Sequence, residues 1–402
     1  MVAHTGIAAT LLINGTTVHR QFCIPLNADE GARSTVEDGS SLENKIAEAE
    51  AVIWDEATMS DRRVLACVDK LLRDLSPCHS HLPFGGKCML LGGDWKQLLP
   101  VVKKTYGREI IDYTIKRGDL WPNFTVLKLK KNMRVEAGCE EFAKFLDEIG
   151  RGATPNADPD GDAMVRLPDE MALPSEDDVI EWAYGGGQLS VDSCDAIKDT
   201  CILSVLDMLP GDERIVHSVD TCAEPNNNLE LPAEMYNKQT PSGMPPHELR
   251  LKKVVVLQGC LLVLMRNINV PRGQCNGTRM QLVDVTDHLL ICKNLSEGPF
   301  HDDTIMLPRV ELTPQDRSDP SLNFNRLQFP VRLAYAMTVN KAQGQTLKKV
   351  GLVLRTPVFS HGQLYVALSR ARTRDGVKIF AYNYADLGHL AVNNIVYKEI
   401  LT

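Results

Sequence analysis

An apolar run that ends in two adjacent carboxylates is the feature that most constrains this chain. Residues 51–54 are Ala-Val-Ile-Trp, and Asp55 and Glu56 follow directly. A continuous apolar run is typical of a parallel strand buried on both faces, and open α/β sheets bind ligands at the carboxyl ends of such strands. Two acids there suit magnesium and water chemistry, because in nucleoside triphosphatases one acid holds Mg²⁺ and a second often orients the attacking water. The same pattern also occurs where a strand turns into a solvated loop, so the pair alone leaves the chemistry open.

The segments after this run predict a parallel sheet. Apolar residues recur at helical spacing from Val64 to Leu75, after Ser60 as a candidate N-cap. A second short apolar run, residues 88–91, ends in the polar stretch 92–97. Strand, helix and strand joined by short connections form right-handed βαβ units, whose loops open on one edge of the sheet. We therefore predict that the two polar loops share a cleft.

Composition excludes several classes of protein. The 402 residues, 44% hydrophobic and 24% charged, are typical of a globular chain of roughly two or three domains. No apolar run approaches the ~20 residues that span a bilayer, and residues 1–10 lack a signal-peptide pattern, so we expect a soluble chain with no membrane partner. The eleven cysteines include no C-x-x-C pair, and Cys67, Cys88 and Cys260 lie in apolar runs. This pattern favours core thiols in a reducing compartment over disulfides or zinc.

The net charge of −8 conceals two segments of opposite sign. Residues 136–181 carry fourteen acids and three bases, whereas residues 331–378 carry nine bases and one acid. A solvated helix face would interleave acids with its bases, so the basic segment is the candidate surface for a polyanion. Within the acidic segment, residues 153–175 combine acids with proline and glycine and few aromatics, which predicts a surface loop.

Further apolar patterns place a domain boundary near Arg134. Apolar positions within 126–129 predict a strand before it, and those within 142–149 predict one face of a helix closed by Gly150. Farther along, strand-like runs around an Asn-Gly turn predict a small β unit within about 260–330.

Two segments of the last hundred residues suit phosphate. The loop 340–346 contains Gly344, and a glycine lets the backbone approach a ligand closely. Residues 363–369 are helical in pattern and precede Arg370, whose planar fork can bind phosphate bidentately.

Seven motifs occur in a fixed order along the chain. They are TGIAATLL from Thr5, WDEATM from Trp54, GGDWKQLLPVV from Gly92, NMRV from Asn132, LLVLMRNINVPRGQCNGTRM from Leu261, LAYAMTVNKAQGQTL from Leu333 and SHGQLYVALSRARTR from Ser360. Together they resemble the PIF-type DNA helicases of superfamily one, and most closely the subfamily that includes the helicase domains of Helitron transposons. Because seven ordered motifs do not match by chance, we identify the chain as a member of that family.

The resemblance implies an α/β fold of two RecA-like P-loop NTPase domains with parallel sheets. Residues 1–134 would form an incomplete N-terminal domain, and residues 135–402 a C-terminal domain with the acidic loop 153–175 and the small β-rich insertion within about 260–330. ATP and Mg²⁺ would bind between the domains, and single-stranded DNA would cross their tops. Hydrolysis of ATP would drive 5′ to 3′ translocation towards duplex junctions. The resemblance favours work in DNA repair, recombination and telomere maintenance, in the nucleus or alternatively in the mitochondrion.

The resemblance also assigns roles to single residues. Asp55 matches the magnesium ligand, Glu56 the water-activating base and Gln97 the sensor of the γ-phosphate. Arg134 and Arg370 match arginines that reach the γ-phosphate. The loop of Gln343, Gly344 and Gln345 matches the one that couples nucleotide state to DNA, with Gly344 and Gln345 on the nucleotide side. The residues that match DNA contacts are Thr5, Gly6, Thr17, His19, Lys341 and Gln343. His19 by itself would be an ordinary histidine, and only the motif assigns it.

Two departures from the family pattern bear on activity. The family's phosphate loop, G-x-x-x-x-G-K-[ST], would precede TGIAATLL, whereas this sequence begins at Met1, almost at that motif. Gly85-Gly86-Lys87 does not replace it, because Cys88 stands where a hydroxyl would bind Mg²⁺. A shortened stretch between Cys201 and Pro210 is the second departure. Loss of even one preorganised phosphate donor costs about 10²- to 10³-fold in rate, so we expect a truncated helicase that is inactive as this chain.

Two alternatives to a truncated helicase stay open. The first is a non-enzymatic remnant of a transposon helicase that still binds single-stranded DNA. The second is a relic that does not fold, because loss of the strand that carries the phosphate loop would expose the edges of its neighbours.

Overall fold

The computed structural model of the protein describes residues 1–402 except 26–27, 103–104, 154–161, 185–194, 198–211, 224–231, 242, 254–259, 297–298, 315–321, 336–337, 382 and 384–388. The chain divides into two compact units, of which unit 1 comprises residues 1–179 with 339–402 and unit 2 comprises residues 180–338. The boundary predicted near Arg134 lies inside unit 1, and the division into domains 1–134 and 135–402 stays a prediction. The short stretch from Cys201 to Pro210 lies outside the described residues. None of the helices described is both long and apolar enough to cross a bilayer.

The first part of unit 1 is built on a parallel sheet. Its strands are β1 (Val2–Ala3), β2 (Thr16–Thr17), β3 (Ala51–Asp55) and β4 (Cys88–Leu91). Its helices are α1 (Gly6–Thr10), α2 (Val18–Gln21), α3 (Ser41–Glu48) and α4 (Arg62–Asp74). The strands lie in the order β2-β1-β3-β4 and every pair is parallel. The parallel arrangement predicted from the βαβ pattern is confirmed.

Strand β3 and helix α4 form where the apolar pattern predicts them. Trp54 in β3 is fully buried, and the apolar face of α4 packs in the same core. The N-cap of α4 is Asp61 rather than the predicted Ser60, because the Asp61 carboxylate accepts a hydrogen bond of 2.8 Å from the Arg63 N–H. The Ser60 hydroxyl is instead 2.9 Å from His4 Nδ1.

The outer edge of β4 has no strand partner among the described residues. Leu90 on this strand is 56% exposed, and Cys88 is also exposed and so is not the core thiol that its apolar run predicts. The strand predicted within 126–129 is wrong, since this segment has no regular structure and Leu127 and Leu129 are 82% and 99% exposed. A strand forms only where a neighbour satisfies its N–H and C=O groups, and no described residue does so here.

Residues 140–184 contribute α5 (Glu140–Arg151), β5 (Asp162–Arg166) and α6 (Glu176–Tyr184). The helix predicted over 142–149 is confirmed as α5, but its C-cap is Gly152, at φ +60°, rather than Gly150. Gly150 has a packing role instead, because a Cβ there would lie 2.8 Å from Lys96 Cδ and 2.9 Å from Tyr365 Cδ2.

Unit 2 is a β-rich body with antiparallel pairing. Its strands are β6 (Asp195–Ile197), β7 (Asp212–His217), β8 (Val219–Cys222), β9 (Glu248–Lys253), β10 (Leu261–Leu264), β11 (Arg279–Val285), β12 (Leu289–Asn294), β13 (Thr304–Pro308), β14 (Val310–Leu312), β15 (Phe324–Gln328) and β16 (Val331–Leu333), and α7 is Ala233–Asn237. Its sheets have the orders β13-β12-β11-β10-β16, β14-β15-β8 and β7-β9. Strands β10 to β15 lie in the segment predicted as β-rich, and its standing as an insertion stays a prediction.

The chain returns to unit 1 with β17 (Val350–Leu354), α8 (Gln363–Leu368), β18 (Val377–Ala381), β19 (Ala391–Ile395) and α9 (Lys398–Leu401). Strands β17 and β18 pair in parallel, and β19 pairs antiparallel with β5. Every residue of α8 after Gln363 is buried.

The surface loop predicted over 153–175 is wrong for the part that the structure describes. Residues 162–166 form β5, and Val165, Leu167 and Met171 are at most 4% exposed. The backbone of β5 is satisfied by β19, which lies more than two hundred residues later in the chain, so the acidic composition of the segment could not reveal the pairing.

Unit 2 contains a fully buried ion pair. Arg326 and Asp220 face each other across β15 and β8, and both side chains are 0% exposed. The Arg326 Nε and Nη2 atoms donate to the two Asp220 oxygens at 2.8 and 2.6 Å. Its remaining N–H groups donate to the carbonyls of Tyr236, Gln239 and Pro245, each at 3.0 Å.

We predict that Arg326→Met lowers the free energy of unfolding by about 3–5 kcal/mol, because the substitution leaves the Asp220 carboxylate buried and unpaired. Urea unfolding of the purified chain measures the change. The matched control is Lys293→Met, which breaks an exposed pair with Asp302 (3.0 Å; 43% and 55% exposed) and should change stability by about 1 kcal/mol or less. Equal losses in the two variants would contradict the prediction.

Candidate active site

The carboxyl ends of β1, β2, β3 and β4 meet at one edge of the sheet. Ala3 at the end of β1 pairs with Thr17 on one side and with Asp55 on the other, and Trp54 pairs with Leu91. The loops after β3 and β4 are joined by backbone hydrogen bonds of 2.8 Å, from Ala57 N to Gly92 O and from Gly92 N to Trp54 O. The prediction that the two polar loops lie together is confirmed.

Glu56 occupies a strained and partly desolvated position at this edge. Its φ of +51° lies in the left-handed region, which few residues other than glycine adopt. Its N–H donates to Asp55 Oδ1 at 2.9 Å, whereas its buried Oε2 has no hydrogen-bond partner. Burial and the Asp55 carboxylate raise the pKa of Glu56, and Arg370 opposes that rise. A strained, unsatisfied carboxyl with a perturbed pKa is typical of a functional site.

The loop after β4, which carries Gln97, packs on the loop after β3. Gly93 packs directly on Thr58, since a Cβ there would lie 2.6 Å from Thr58 Cγ2. Asp94 shapes the next turn, because its Oδ1 accepts from Lys96 N and its carbonyl accepts from Gln97 N, both at 3.0 Å. The turn holds Gln97 in a buried position, with 9% of its surface exposed.

Arg370 and Arg134 lie close together at this site. Arg370 is fully buried, and its guanidinium donates to Val366 O at 3.0 Å, to Gln345 O at 3.2 Å and to Ser369 Oγ at 2.9 Å. Arg134 donates to the Ser369 carbonyl at 3.3 Å. Burial, and then the charge of Arg134, lower the pKa of Arg370 to about 10. Two arginines that repel each other and bind mainly neutral acceptors form a site suited to an anion.

The loop 343–346 touches three parts of the site. Gln343 is 2% exposed and donates from Nε2 to Gln97 Oε1 at 3.4 Å, and Gln345 supplies the carbonyl that binds Arg370. Gly344 has a φ of +78°, and a Cβ built on it would lie 3.9 Å from Ala8 Cα in α1. The loop therefore contacts Gln97, Arg370 and the TGIAATLL segment. Gln343 lies beside the candidate nucleotide site, and its role in DNA binding stays a prediction.

Four of the residues predicted to bind DNA lie at the ends of β1 and β2, along the same edge of the sheet. Thr5 follows β1 and caps α1, with its Oγ1 accepting from Ala8 N at 3.2 Å, and Gly6 is the first residue of that helix. Thr17 ends β2, and His19 follows in α2, where its ring lies 6.4 Å from that of His4. The structure brings these four predicted residues to neighbouring strand ends. Lys341 lies in a 3₁₀ helix, Val339–Ala342, and its side chain lies outside the described part.

Acids neutralise part of the basic segment predicted as a polyanion surface. Arg355 and Glu176 form an ion pair of 2.6 Å, and Arg374 and Glu170 one of 3.4 Å. The Lys378 ammonium donates to the Glu170 carbonyl. The two segments of opposite sign therefore pair with each other at these positions in unit 1, and the role of residues 331–378 as a surface for a polyanion stays a prediction.

Sequence reasoning missed a polar cluster that joins the loop after β4 to α8. The Tyr365 hydroxyl donates to Asp94 Oδ2 at 3.0 Å. Lys96 forms a 3.1 Å ion pair with Asp147 of α5, and its ammonium lies 5.2 Å from the centroid of the Tyr365 ring. Asp94, Lys96 and Tyr365 all lie within the motifs quoted above, but the sequence gives no sign that residues some 270 positions apart are in contact.

Comparisons with known proteins agree with this geometry. The family model described as PIF1-like helicase matches residues 1–160, the DNA helicase Pif1 2B domain matches residues 234–285, and the viral superfamily 1 RNA helicase core domain matches residues 292–378. The ATP-dependent DNA helicase Pif1 of Bdellovibrio bacteriovorus is 27% identical over 391 residues, which are 95% of this chain and 78% of that protein. The ATP-dependent DNA helicase PIF1 of Rattus norvegicus is 26% identical, over 95% of this chain but only 54% of its own length.

Solved structures share the fold. Pif1 from Bacteroides in complex with ADP-AlF3 and single-stranded DNA superposes with a TM-score of 0.65 at 23% identity, over 96% of this chain and 85% of its own. Pif1 from Candida albicans gives a TM-score of 0.63 at 21% identity, over 100% of this chain and 86% of its own. The RecA-like α/β fold predicted from the motifs is confirmed. The matched sequence models and the curated relatives show that the chain is similar to the PIF1-like helicases along most of its length.

Proposed function

We propose that this chain is the motor region of an ATP-dependent DNA helicase that translocates 5′ to 3′ on single-stranded DNA. The observation that carries the proposal is the convergence of Asp55, Glu56 and Gln97 with Arg134 and Arg370 in unit 1. The relatives reported above are named ATP-dependent DNA helicases, and one of the similar structures holds ADP-AlF3 and single-stranded DNA. Acids that activate water on one side and cations that bind phosphate on the other are what phosphoryl transfer requires.

Each side chain has a definite part in this chemistry. Glu56 accepts a proton from the attacking water, a task that its buried and unpartnered Oε2 suits. Arg134 and Arg370 place positive charge where negative charge develops on the transferred phosphoryl group. Gln97 orients its amide towards the same group, and its hydrogen bond to Gln343 links that event to the loop beside α1.

The residues at the end of β3 fit a magnesium ion. Mg²⁺ bound with nucleotide is held by one or two protein carboxylates together with phosphate oxygens, rather than by an all-protein cage. In the parts of the chain that the structure describes, no group of three or more His, Cys, Asp and Glu residues could hold a metal by itself. Asp55 would be the protein ligand. When bound, the ion would neutralise charge on the β- and γ-phosphates.

Single-stranded DNA is the proposed polymer substrate, also at forks with a duplex. Thr5, Gly6, Thr17 and His19 lie at the ends of β1 and β2, where hydroxyl and backbone groups can contact phosphates. Gly344 against Ala8 brings the coupling loop next to this surface. The loop thus contacts both the proposed DNA side and the proposed nucleotide side of unit 1.

A phosphate loop must complete the nucleotide site, and β4 offers the place for its strand. The 402-residue sequence contains no G-x-x-x-x-G-K-[ST] segment. A further strand beside β4 would satisfy its outer edge and could cover the exposed apolar segment 126–129. We propose that this position is taken by a strand that carries the phosphate loop. Without it, the second candidate function is non-enzymatic binding of single-stranded DNA.

A longer protein that carries this strand tests its proposed position. The Cys88 and Gly92 N–H groups donate towards β3, so by alternation the N–H groups of Met89 and Leu91 face the outer edge of β4. We predict that amide hydrogen exchange at Met89 and Leu91 and across residues 126–129 slows by about 100-fold or more relative to the 402-residue chain, because strand pairing buries those amides. The β3 amides, which are already paired on both sides, serve as the control and should change little. ATPase activity stimulated by single-stranded DNA is expected in the longer protein alone. Hydrolysis by the 402-residue chain, or unchanged exchange at both segments, would contradict the prediction.

Conservative replacement of the buried arginine tests its role in catalysis. In the protein that carries the phosphate loop, with saturating single-stranded DNA, we predict that Arg370→Lys lowers kcat for ATP hydrolysis by about 10³-fold while nucleotide still binds, because an arginine finger acts mainly in the transition state. The matched control is Arg372→Lys, two residues away on the exposed surface, which should keep kcat within about 2-fold. Equal effects of the two substitutions would exclude the assigned role.

A further inference from the structure

His361 has both ring nitrogens engaged in the core of unit 1. Its side chain is fully buried, Nε2 lies 2.8 Å from the Trp95 carbonyl oxygen, and Nδ1 lies 2.8 Å from the Tyr397 backbone nitrogen. A backbone N–H can only donate and a carbonyl can only accept, so Nδ1 must be the acceptor and Nε2 must carry the proton. The geometry therefore selects one form of the ring, the neutral Nε2–H tautomer. The ring also stacks on that of Tyr397, with centroids 5.2 Å apart.

The next residue, Gly362, makes backbone contact with the loop that carries Gln97. At its φ of +70°, a Cβ on Gly362 would lie 2.4 Å from the Lys96 carbonyl oxygen and 2.8 Å from the Gln97 carbonyl carbon. The Gly362 N–H donates to Ile395 O in β19 at 3.0 Å. No side chain fits between this turn and the loop, so the two backbones are packed directly together.

Helix α8 extends this contact to the buried arginine. Gly362 is its N-cap, Tyr365 in its first turn donates to Asp94, and Arg370 follows the C-cap, Ser369. The turn and helix are therefore fixed to the loop after β4 at His361, Gly362 and Tyr365. One short rigid element thus connects the position of Gln97 to the position of Arg370.

We propose that His361 is a positioning residue, whose neutral imidazole fastens the loop of Gln97 to the start of the helix that leads to Arg370. This inference rests on the proposed function, because it takes Gln97 as a phosphate sensor and Arg370 as an arginine finger and assigns to His361 the spacing between them. A displacement of about 1 Å in a catalytic group can lower a rate by about 100-fold, so a fastening at this point matters to catalysis without touching substrate.

The surroundings of His361 keep the ring neutral at pH 7. Burial lowers its pKa, while the hydrogen bond to Trp95 O, the Asp94 carboxylate of the facing loop and the Glu399 carboxylate of α9 oppose the shift. Because the folded pKa lies below the unfolded value of about 6.5, the stabilisation is present above that pH and is lost as the pH falls below it.

Two amide substitutions of His361 test the two hydrogen bonds of the ring one at a time. The Gln side chain places an N–H donor near the position of Nε2, so His361→Gln can keep the bond to Trp95 O. The Asn side chain places an oxygen near the position of Nδ1, so His361→Asn keeps only the acceptor for Tyr397 N–H. Both variants are tested in the protein that carries the phosphate loop. We expect His361→Asn to lower kcat for DNA-stimulated ATP hydrolysis by about 10-fold or more, with KM for ATP changed by no more than about 2-fold. We expect kcat of His361→Gln to stay within about 3-fold of wild type.

Hydrogen exchange supplies a readout that does not depend on activity. We expect the amides of residues 95–98 to exchange about 10-fold faster in His361→Asn than in wild type or His361→Gln. Between pH 7 and pH 5, the melting temperature should fall further in wild type than in His361→Gln, because only the wild type has this histidine to protonate.

The outcomes distinguish failure of the inference from failure of the proposed function. A wild-type protein with its phosphate loop that hydrolyses no ATP would refute the proposed function, and the exchange data would still decide whether His361 fastens the loop. Equal exchange in the two variants, or ¹⁵N shifts that report an imidazolium or an Nδ1–H tautomer at pH 7, would overturn the fastening. Normal kcat in His361→Asn would overturn the positioning role.

Discussion

The parallel pairing of β3 with β1 on one side and β4 on the other is the constraint on which the site in unit 1 depends. Parallel strands direct all their carboxyl ends to one edge, so the carboxylates after β3, the Gly-Gly turn after β4 and the threonines after β1 and β2 become neighbours. The apolar character of β3 supports the pairing, since Val52 and Trp54 are buried on one face and Ile53 is half-buried on the other. Loss of that register would separate the proposed nucleotide side from the proposed DNA side.

Several groups at the site are unfavourable in the free protein, and one ligand could compensate the uncompensated charges among them. Glu56 has a left-handed backbone and an orphan carboxyl oxygen, and Arg370 is buried beside a second arginine. Phosphate with magnesium would supply the cation that the acids lack and the anion that the arginines lack. The strain is therefore consistent with preorganisation, in which the fold holds charged groups where the transition state needs them.

The sequence predicts those features of the fold and site that depend on local pattern. The apolar run of β3, the amphipathic face of α4 and the polar loop after β4 each encode their own structure, and the order of the motifs carries the resemblance to the PIF-type helicases. Partners distant in the chain are not encoded in this way. The segment 126–129 has no strand neighbour among the residues that the structure describes, whereas the loop expected over 153–175 contains a strand because β19 pairs with it. The same reason hides the contacts of His361 with Trp95 and Tyr397, which join three separate segments.

A structure of the protein that carries the phosphate loop, bound to ADP, aluminium fluoride and single-stranded DNA, is the most direct test of the proposed site. We predict that the fluoride group lies within hydrogen-bond distance of the Gln97 amide and of the Arg134 and Arg370 guanidinium groups, with Glu56 next to the attacking water. A nucleotide bound elsewhere, or one that leaves Arg370 bonded only to Val366, Gln345 and Ser369 as in the free chain, would contradict this assignment.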